Sequence, residues 1–261
     1  MSNPKNLTEL YSGVELDTLF KGNFINFGYW KKIPHNLTEK DAVEANANLY
    51  HQVFKHLMPE KEDKILEVGS GYGAGCALLA SLHSTQSIIG LDYLTAHVKR
   101  SSKAHSSLIE EKKVQYLQGK AEAIPLPNAS INKIYTVEAF QHFNAQYAIP
   151  EFARVLIQGS KLVISTFFAK NKNCFKELLT LLPRPAILPD DSNEDLAALP
   201  EVLNLLKNNL FKNIQIENIG QYVWSGYDIW VRQNEPGIWD TNWRTAYERE
   251  LLDYYIITAN F

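Results

Sequence analysis

The alternation of apolar and polar positions divides this chain into two kinds of segment. Short, nearly continuous apolar runs recur at residues 64–68, 87–91, 114–117, 133–137 and 161–168. Runs of that length suit strands buried on both faces of a parallel sheet. The stretches between them, such as 75–83 and 96–110, are long enough for crossover helices. Repeated strand–helix–strand spacing predicts a doubly wound α/β fold. Two late segments complete the sheet. Residues 213–219 alternate apolar and polar, as a half-buried or edge strand does, and 254–258 are aromatic and β-branched. Residues 1–60 read as helical cover. Thr38 with Asp41 three positions on resembles a capping box, and Leu49, Tyr50, Val53, Phe54 and Leu57 then recur at helical spacing. The proline-rich, acidic stretch 183–200 predicts an insertion loop followed by a helix, part of a cap over a site.

Composition narrows the function. A chain of 261 residues, 45% of them hydrophobic, holds one α/β domain with a small elaboration. Its formal charge of -3 lacks the basic balance of a phosphate-binding surface, and Lys99, Arg100, Lys103, Lys112 and Lys113 read as a solvated helix face, so no nucleic-acid partner is expected. No uncharged apolar run approaches the ~18–20 residues that span a bilayer, and residues 1–6 lack the pattern of a secretory signal. Cys76 and Cys174 have no metal-ligand spacing. The expectation is a cytoplasmic protein in a reducing compartment, without metal or membrane span.

The most informative stretch runs from Ile65 to Gly75, where an apolar strand enters a glycine loop and then a helix. Gly69, Ser70, Gly71 and Gly73 allow a sharp turn and close approach of backbone to a ligand. Asp92 closes the next strand, 23 residues after Gly69, where an acidic side chain accepts from ribose hydroxyls in doubly wound nucleotide sites. Gly69-x-Gly71-x-x-Ala74 also satisfies the dinucleotide fingerprint. By itself the loop fits a nicotinamide or flavin cofactor as well as S-adenosylmethionine.

The ordered series that follows separates them. Glu67–Gly73, Gly90-Leu91-Asp92, residues 118–126, Val137-Glu138 through Phe143, and 152–156 before 159–164 together resemble class I S-adenosylmethionine-dependent methyltransferases. Outside this core, residues 24–30 (Phe-Ile-Asn-Phe-Gly-Tyr-Trp), 223–230 and 253–259 are similar to a subgroup acting on polyketides and other secondary metabolites. The resemblance implies a Rossmann-like, seven-stranded, mostly parallel sheet in a single methyltransferase domain over 1–261. Residues 1–60 would form a helical lid, 61–170 the cofactor-binding core, and 171–212 and 222–248 the cap. It implies methyl transfer to oxygen, less often nitrogen or carbon, of a small apolar acceptor. An NAD(P)-dependent oxidoreductase on a similar sheet and a non-catalytic S-adenosylmethionine-binding protein are the alternatives.

The resemblance also implies roles. Gly69, Ser70, Gly71 and Gly73 would line the methionyl and ribose portion of the cofactor. Glu67 would orient the loop or meet the amine, Asp92 would hold the ribose, and Tyr93 would pack on adenine. The Ala121 amide would read the adenine edge. Relatives often carry aspartate where this chain has Lys120, which has donors only, so Glu122 would replace that acceptor. Glu138 would contact the cofactor or orient His142. His142, just after the fourth strand, is the candidate base, because an imidazole accepts protons near neutrality; otherwise it packs at the rim. Tyr29 would face the sulfonium from a lid, or pack on the core. Trp224, Trp230, Trp239 and Trp243, with Tyr222, Tyr227 and Tyr247, suit either an apolar acceptor pocket or a packed cap.

Overall fold

The computed structural model describes Tyr11 and residues 19–182, 197–234 and 242–261. The loop predicted from 183 lies outside the described residues up to 196, as does Trp239. Every predicted strand is present: β1 (Lys64–Val68), β2 (Ser87–Asp92), β3 (Val114–Gln118), β4 (Ile131–Val137), β5 (Leu156–Ala169), β6 (Lys212–Asn218) and β7 (Leu252–Asn260). They form one sheet in the order β3-β2-β1-β4-β5-β7-β6. Strands β1 to β5 pair in parallel, while β7 runs antiparallel to both β5 and β6.

Helices cover both faces, as the near-continuous apolar strands require. Neighbouring residues on one strand serve opposite cores. Tyr135 and Val163 pack with Leu49 and Val53 of α1 (Glu39–Leu57) and with Cys76 and Leu79 of α2 (Ala74–Leu82). Ile134 and Ile164 pack with Ile149 and Phe152 of α5 (Ala145–Val155) and with Val202 and Leu206 of α7 (Leu199–Asn208), while α6 (Phe175–Leu181) adds Phe175 and Leu178 to the first core. The capping box at the start of α1 is formed: Thr38 N donates to Asp41 Oδ2 at 2.8 Å, and Asp41 N donates to Thr38 Oγ1 at 3.3 Å. The helix predicted over 96–110 is two pieces, α3 (Thr95–Ala104) and α4 (Ser106–Glu110), broken at His105. One turn before the break, Ser101 Oγ donates back to the carbonyls of His97 and Val98, a contact that bends helices.

The N-terminal segment docks on α8 (Gly220–Asn234). Trp30 N donates to Tyr222 O at 2.7 Å, and Trp30 Nε1 donates to Phe27 O at 2.8 Å. Phe27 inserts among Trp224, Tyr227 and Trp243, the last on α9 (Asn242–Glu248). The Trp224 and Trp243 rings are nearly parallel, 5.8 Å apart. Trp224, Trp230, Tyr227 and Trp243 are all buried, so these four side chains are a packed core joining cover to cap. Among the described residues, no helix is long and apolar enough to cross a membrane.

Candidate active site

A cleft of about 630 Å³, its open mouth included, lies at the carboxyl ends of β1, β2 and β4. Open α/β sheets bind ligands at this end. Gly69, Ser70 and Gly71 from the turn after β1 line it, with Asp92 and Tyr93 from the end of β2 and Glu138 and His142 from beyond β4. Seven residues singled out in the sequence thus surround one space.

The glycine turn is held by the sheet itself. Gly69, Gly71 and Gly73 take left-handed φ of 78°, 53° and 80°. Gly69 N and Ser70 N both donate to Leu91 O, and Gly71 N donates to Asp92 Oδ2 at 2.7 Å. A Cβ on Gly71 would meet only Ile25, at 3.2 Å, and would occupy cleft space that a ligand needs. Asp92 Oδ1 accepts from Leu94 N at 2.9 Å. A carboxylate has about four acceptor sites, so each oxygen keeps one for a hydroxyl. Ser70 Oγ is buried without a hydrogen-bond partner among the described residues. These features fit a ligand with a ribose diol and other polar groups.

Glu138 closes the floor. Its φ of 50° is left-handed, uncommon for a side chain with a Cβ. Both its carboxylate oxygens accept from Phe27 N, at 2.8 and 3.0 Å, and Oε1 also accepts from Tyr254 OH at 3.0 Å. Glu138 therefore clamps the N-terminal cover to the sheet. Burial raises its pKa to about 8, against the lowering effect of those hydrogen bonds. Its carboxylate engages Phe27 and Tyr254, and only its backbone reaches toward His142, through Gln141.

His142 sits beside an ordered amide. Thr166 Oγ1 donates to Gln141 Oε1 at 2.7 Å, which fixes the Gln141 amide with Nε2 donating to Glu138 O at 2.8 Å. The same Gln141 Nε2 lies 3.2 Å from His142 Nε2. A donor facing that nitrogen favours the tautomer with its lone pair there. Tyr11 OH is also 2.9 Å from His142 Nε2, its ring edge-on to the imidazole. A hydroxyl on an aromatic ring thus reaches this nitrogen within proton-transfer distance.

The other expected residues lie elsewhere. Glu67 does not line the cleft; it is fully buried beneath it and accepts from Tyr50 OH, Tyr135 OH and Cys76 Sγ, each at 2.9 Å. Desolvation raises its pKa to about 7 despite these donors. Gly73 is the N-cap of α2, backed by Tyr116 and Ser101. Tyr29 packs on Tyr222 with the rings tilted by 32° and their centroids 4.7 Å apart, away from the cleft lining. Ala121 and Glu122 are also outside the lining; Glu122 Oε1 accepts from Asn144 N at the start of α5, at 2.8 Å. Lys120 is exposed, its Nζ 5.0 Å from the centre of the Tyr93 ring. Tyr93 itself is 42% exposed at the rim. Tyr11, Tyr50 and His97 line the cleft without having been singled out. His97 had a signal: it lies five residues after Asp92, in the first turn of the next helix.

Residues 66–164 match the family model described as a methyltransferase domain. That stretch, a little over a third of the chain, has the sequence pattern of a methyltransferase domain. An O-methyltransferase of Pyrenophora dematioidea is 33% identical over 58% of this chain and 56% of its own length. An O-methyltransferase of Penicillium expansum is 26% identical over 84% of this chain and 77% of its own. The chain thus spans from about half to about three quarters of these relatives. A geranyl diphosphate C-methyltransferase from Streptomyces coelicolor superposes with a TM-score of 0.77 at 12% identity, covering 99% of both chains. The [4+2]-cyclase SpnF superposes with a TM-score of 0.72 at 16% identity, covering 99% of this chain and 97% of its own. The methyltransferase fold, its reversed β7 included, differs from the strand order 3-2-1-4-5-6 of dinucleotide-binding sheets.

Proposed function

We propose that the chain binds S-adenosylmethionine in this cleft and methylates an oxygen of a small, apolar metabolite. The observation that carries this is the convergence of Gly71, Asp92, Glu138 and His142 on one space at the carboxyl end of the sheet. The cofactor, when bound, supplies an electrophilic methyl group on a sulfonium sulfur. Gly69 to Gly71 and Asp92 hold it. Glu138 fixes the cover that walls the cleft, since Ile25 and Asn23 on that cover line it. His142 Nε2 would take the acceptor's hydroxyl proton once that hydroxyl stands where Tyr11 OH now does, while the acceptor oxygen bonds the methyl carbon and the carbon–sulfur bond breaks to leave a neutral thioether. Phe143 and Ala139 give the site an apolar wall, which suits a greasy acceptor and strengthens the electrostatics by excluding water. Two free cysteines, one of them buried, suit a reducing cytoplasm.

Incubating the protein with cell extract and methyl-labelled cofactor tests this. Label should appear in a small organic-soluble product, as a methyl ether or ester. Label on protein or nucleic acid alone, or none above the His142→Ala background, would refute it.

A further inference from the structure

His97 is the least explained polar group in the cleft. It lines the space beside Asp92 and is 5% exposed. Among the described residues, neither ring nitrogen has a hydrogen-bond partner. Nδ1 is 3.2 Å from Asp92 Oδ1 without the alignment of a hydrogen bond. Tyr72 and Tyr11 meet the ring edge-on, at 5.0 and 6.1 Å between centroids, and satisfy neither nitrogen. Buried polar groups in native proteins are almost always paired, because an unpaired one is costly. A group kept unpaired at the wall of a cleft has its partner in what fills the cleft.

We infer that His97 binds a ribose hydroxyl of the nucleoside held by Asp92. This rests on the proposed cofactor. Asp92 only accepts, and each of its oxygens already takes one backbone amide. A ribose diol brings two O–H donors and oxygen lone pairs that seek donors of their own. Each O–H of the diol needs an acceptor, and Asp92 Oδ1 already faces both Leu94 N and His97 Nδ1. A neutral imidazole carries one donor and one acceptor; with its proton on Nδ1 toward that carboxylate oxygen, Nε2 offers its lone pair to a ribose hydroxyl. Its place in the first turn of α3, just after the end of β2 that carries Asp92, puts both groups on the same side of the nucleoside site.

Calorimetry with S-adenosylhomocysteine and its 2′-deoxy and 3′-deoxy analogues tests the assignment on wild type, His97→Met and His97→Gln. Methionine fills a similar volume and makes no strong hydrogen bond; glutamine keeps a donor and an acceptor. His97→Met should weaken S-adenosylhomocysteine about tenfold or more. It should weaken one deoxy analogue far less, because that ligand lacks the contacted hydroxyl. His97→Gln should recover most of the loss. The ligand-free His97→Met protein should melt at or above the wild-type midpoint, since an unpaired buried polar group has been removed. Equal loss for all three ligands, or no loss for any, in His97→Met would overturn the inference. A wild-type protein that binds none of the three would instead overturn the cofactor reading itself.

Discussion

Gly75→Ala sets two familiar effects against each other. Gly75 is the second residue of α2, where alanine raises helix propensity by at most ~1 kcal/mol. The structure opposes that gain. A Cβ there would lie 2.2 Å from Tyr50 Cε1 and 2.6 Å from Glu67 Oε1. Neither neighbour yields easily. The Tyr50 ring is packed by Phe24, Phe54 and Tyr135, and Glu67 is held by three donors. Overpacking of this kind costs ~1–3 kcal/mol, and losing the Tyr50–Glu67 hydrogen bond a similar amount. The net expectation is destabilisation by about 2 kcal/mol, or roughly 4–8 °C in Tm for a chain of this size. Because Tyr50 also lines the cleft, S-adenosylhomocysteine should bind more weakly. Urea unfolding and thermal melts measure the first effect, and calorimetry the second. A Gly75→Ala protein as stable as wild type would show that the Tyr50–Glu67 packing does not constrain α2.

Other expectations follow from the same geometry. Glu67 and Glu138 hold their protons to about pH 7 and 8 in the folded state, against about 4.3 for a free glutamate. The folded chain therefore binds more protons between these limits, so its stability should fall as pH rises from about 4.5 to 8, by on the order of a few kcal/mol. Urea midpoints at pH 5.5 and 8.5 measure this, Glu138→Gln should flatten the upper part of the slope, and a flat wild-type profile would count against the burial argument. His142→Ala should lower turnover by ~10²-fold or more while leaving cofactor affinity within a few-fold; an unchanged rate would remove His142 as the base. Tyr254→Phe takes one donor from Glu138 and should cost about 1 kcal/mol in stability, because the Phe27 amide still holds the carboxylate.

Most of the scaffold is written in local pattern. Seven strands, the α1 capping box and the glycine turn all follow from residue spacing, since each depends on neighbours in sequence. The insertion of β7 between β5 and β6 does not: strand order is a tertiary choice, and both late segments read simply as strands. The β6 segment shows why its alternation was only suggestive. As an edge strand it is exposed along nearly its whole length, Ile216 included, and only Ile214 is half-buried against the core. Within the site, residues on the turn and strand ends could be read directly. Tyr29 could not, because what decides its direction is Tyr222, which lies on a helix near the other end of the chain. Glu67 and Glu122 were legible as acids but not as acids already engaged, since their donors come from distant elements. Tyr11 has no motif around it and is recognised only by its contact with His142.

A cofactor site in the cleft between the glycine turn and Asp92 is open to calorimetric titration of wild type and Gly71→Arg with S-adenosylhomocysteine, beside NAD and NADP. The structure predicts saturable one-to-one binding of S-adenosylhomocysteine, no comparable binding of either dinucleotide, and loss of binding in Gly71→Arg, whose long side chain would fill the space facing Ile25. Binding of a dinucleotide alone, or undiminished affinity in Gly71→Arg, would contradict it.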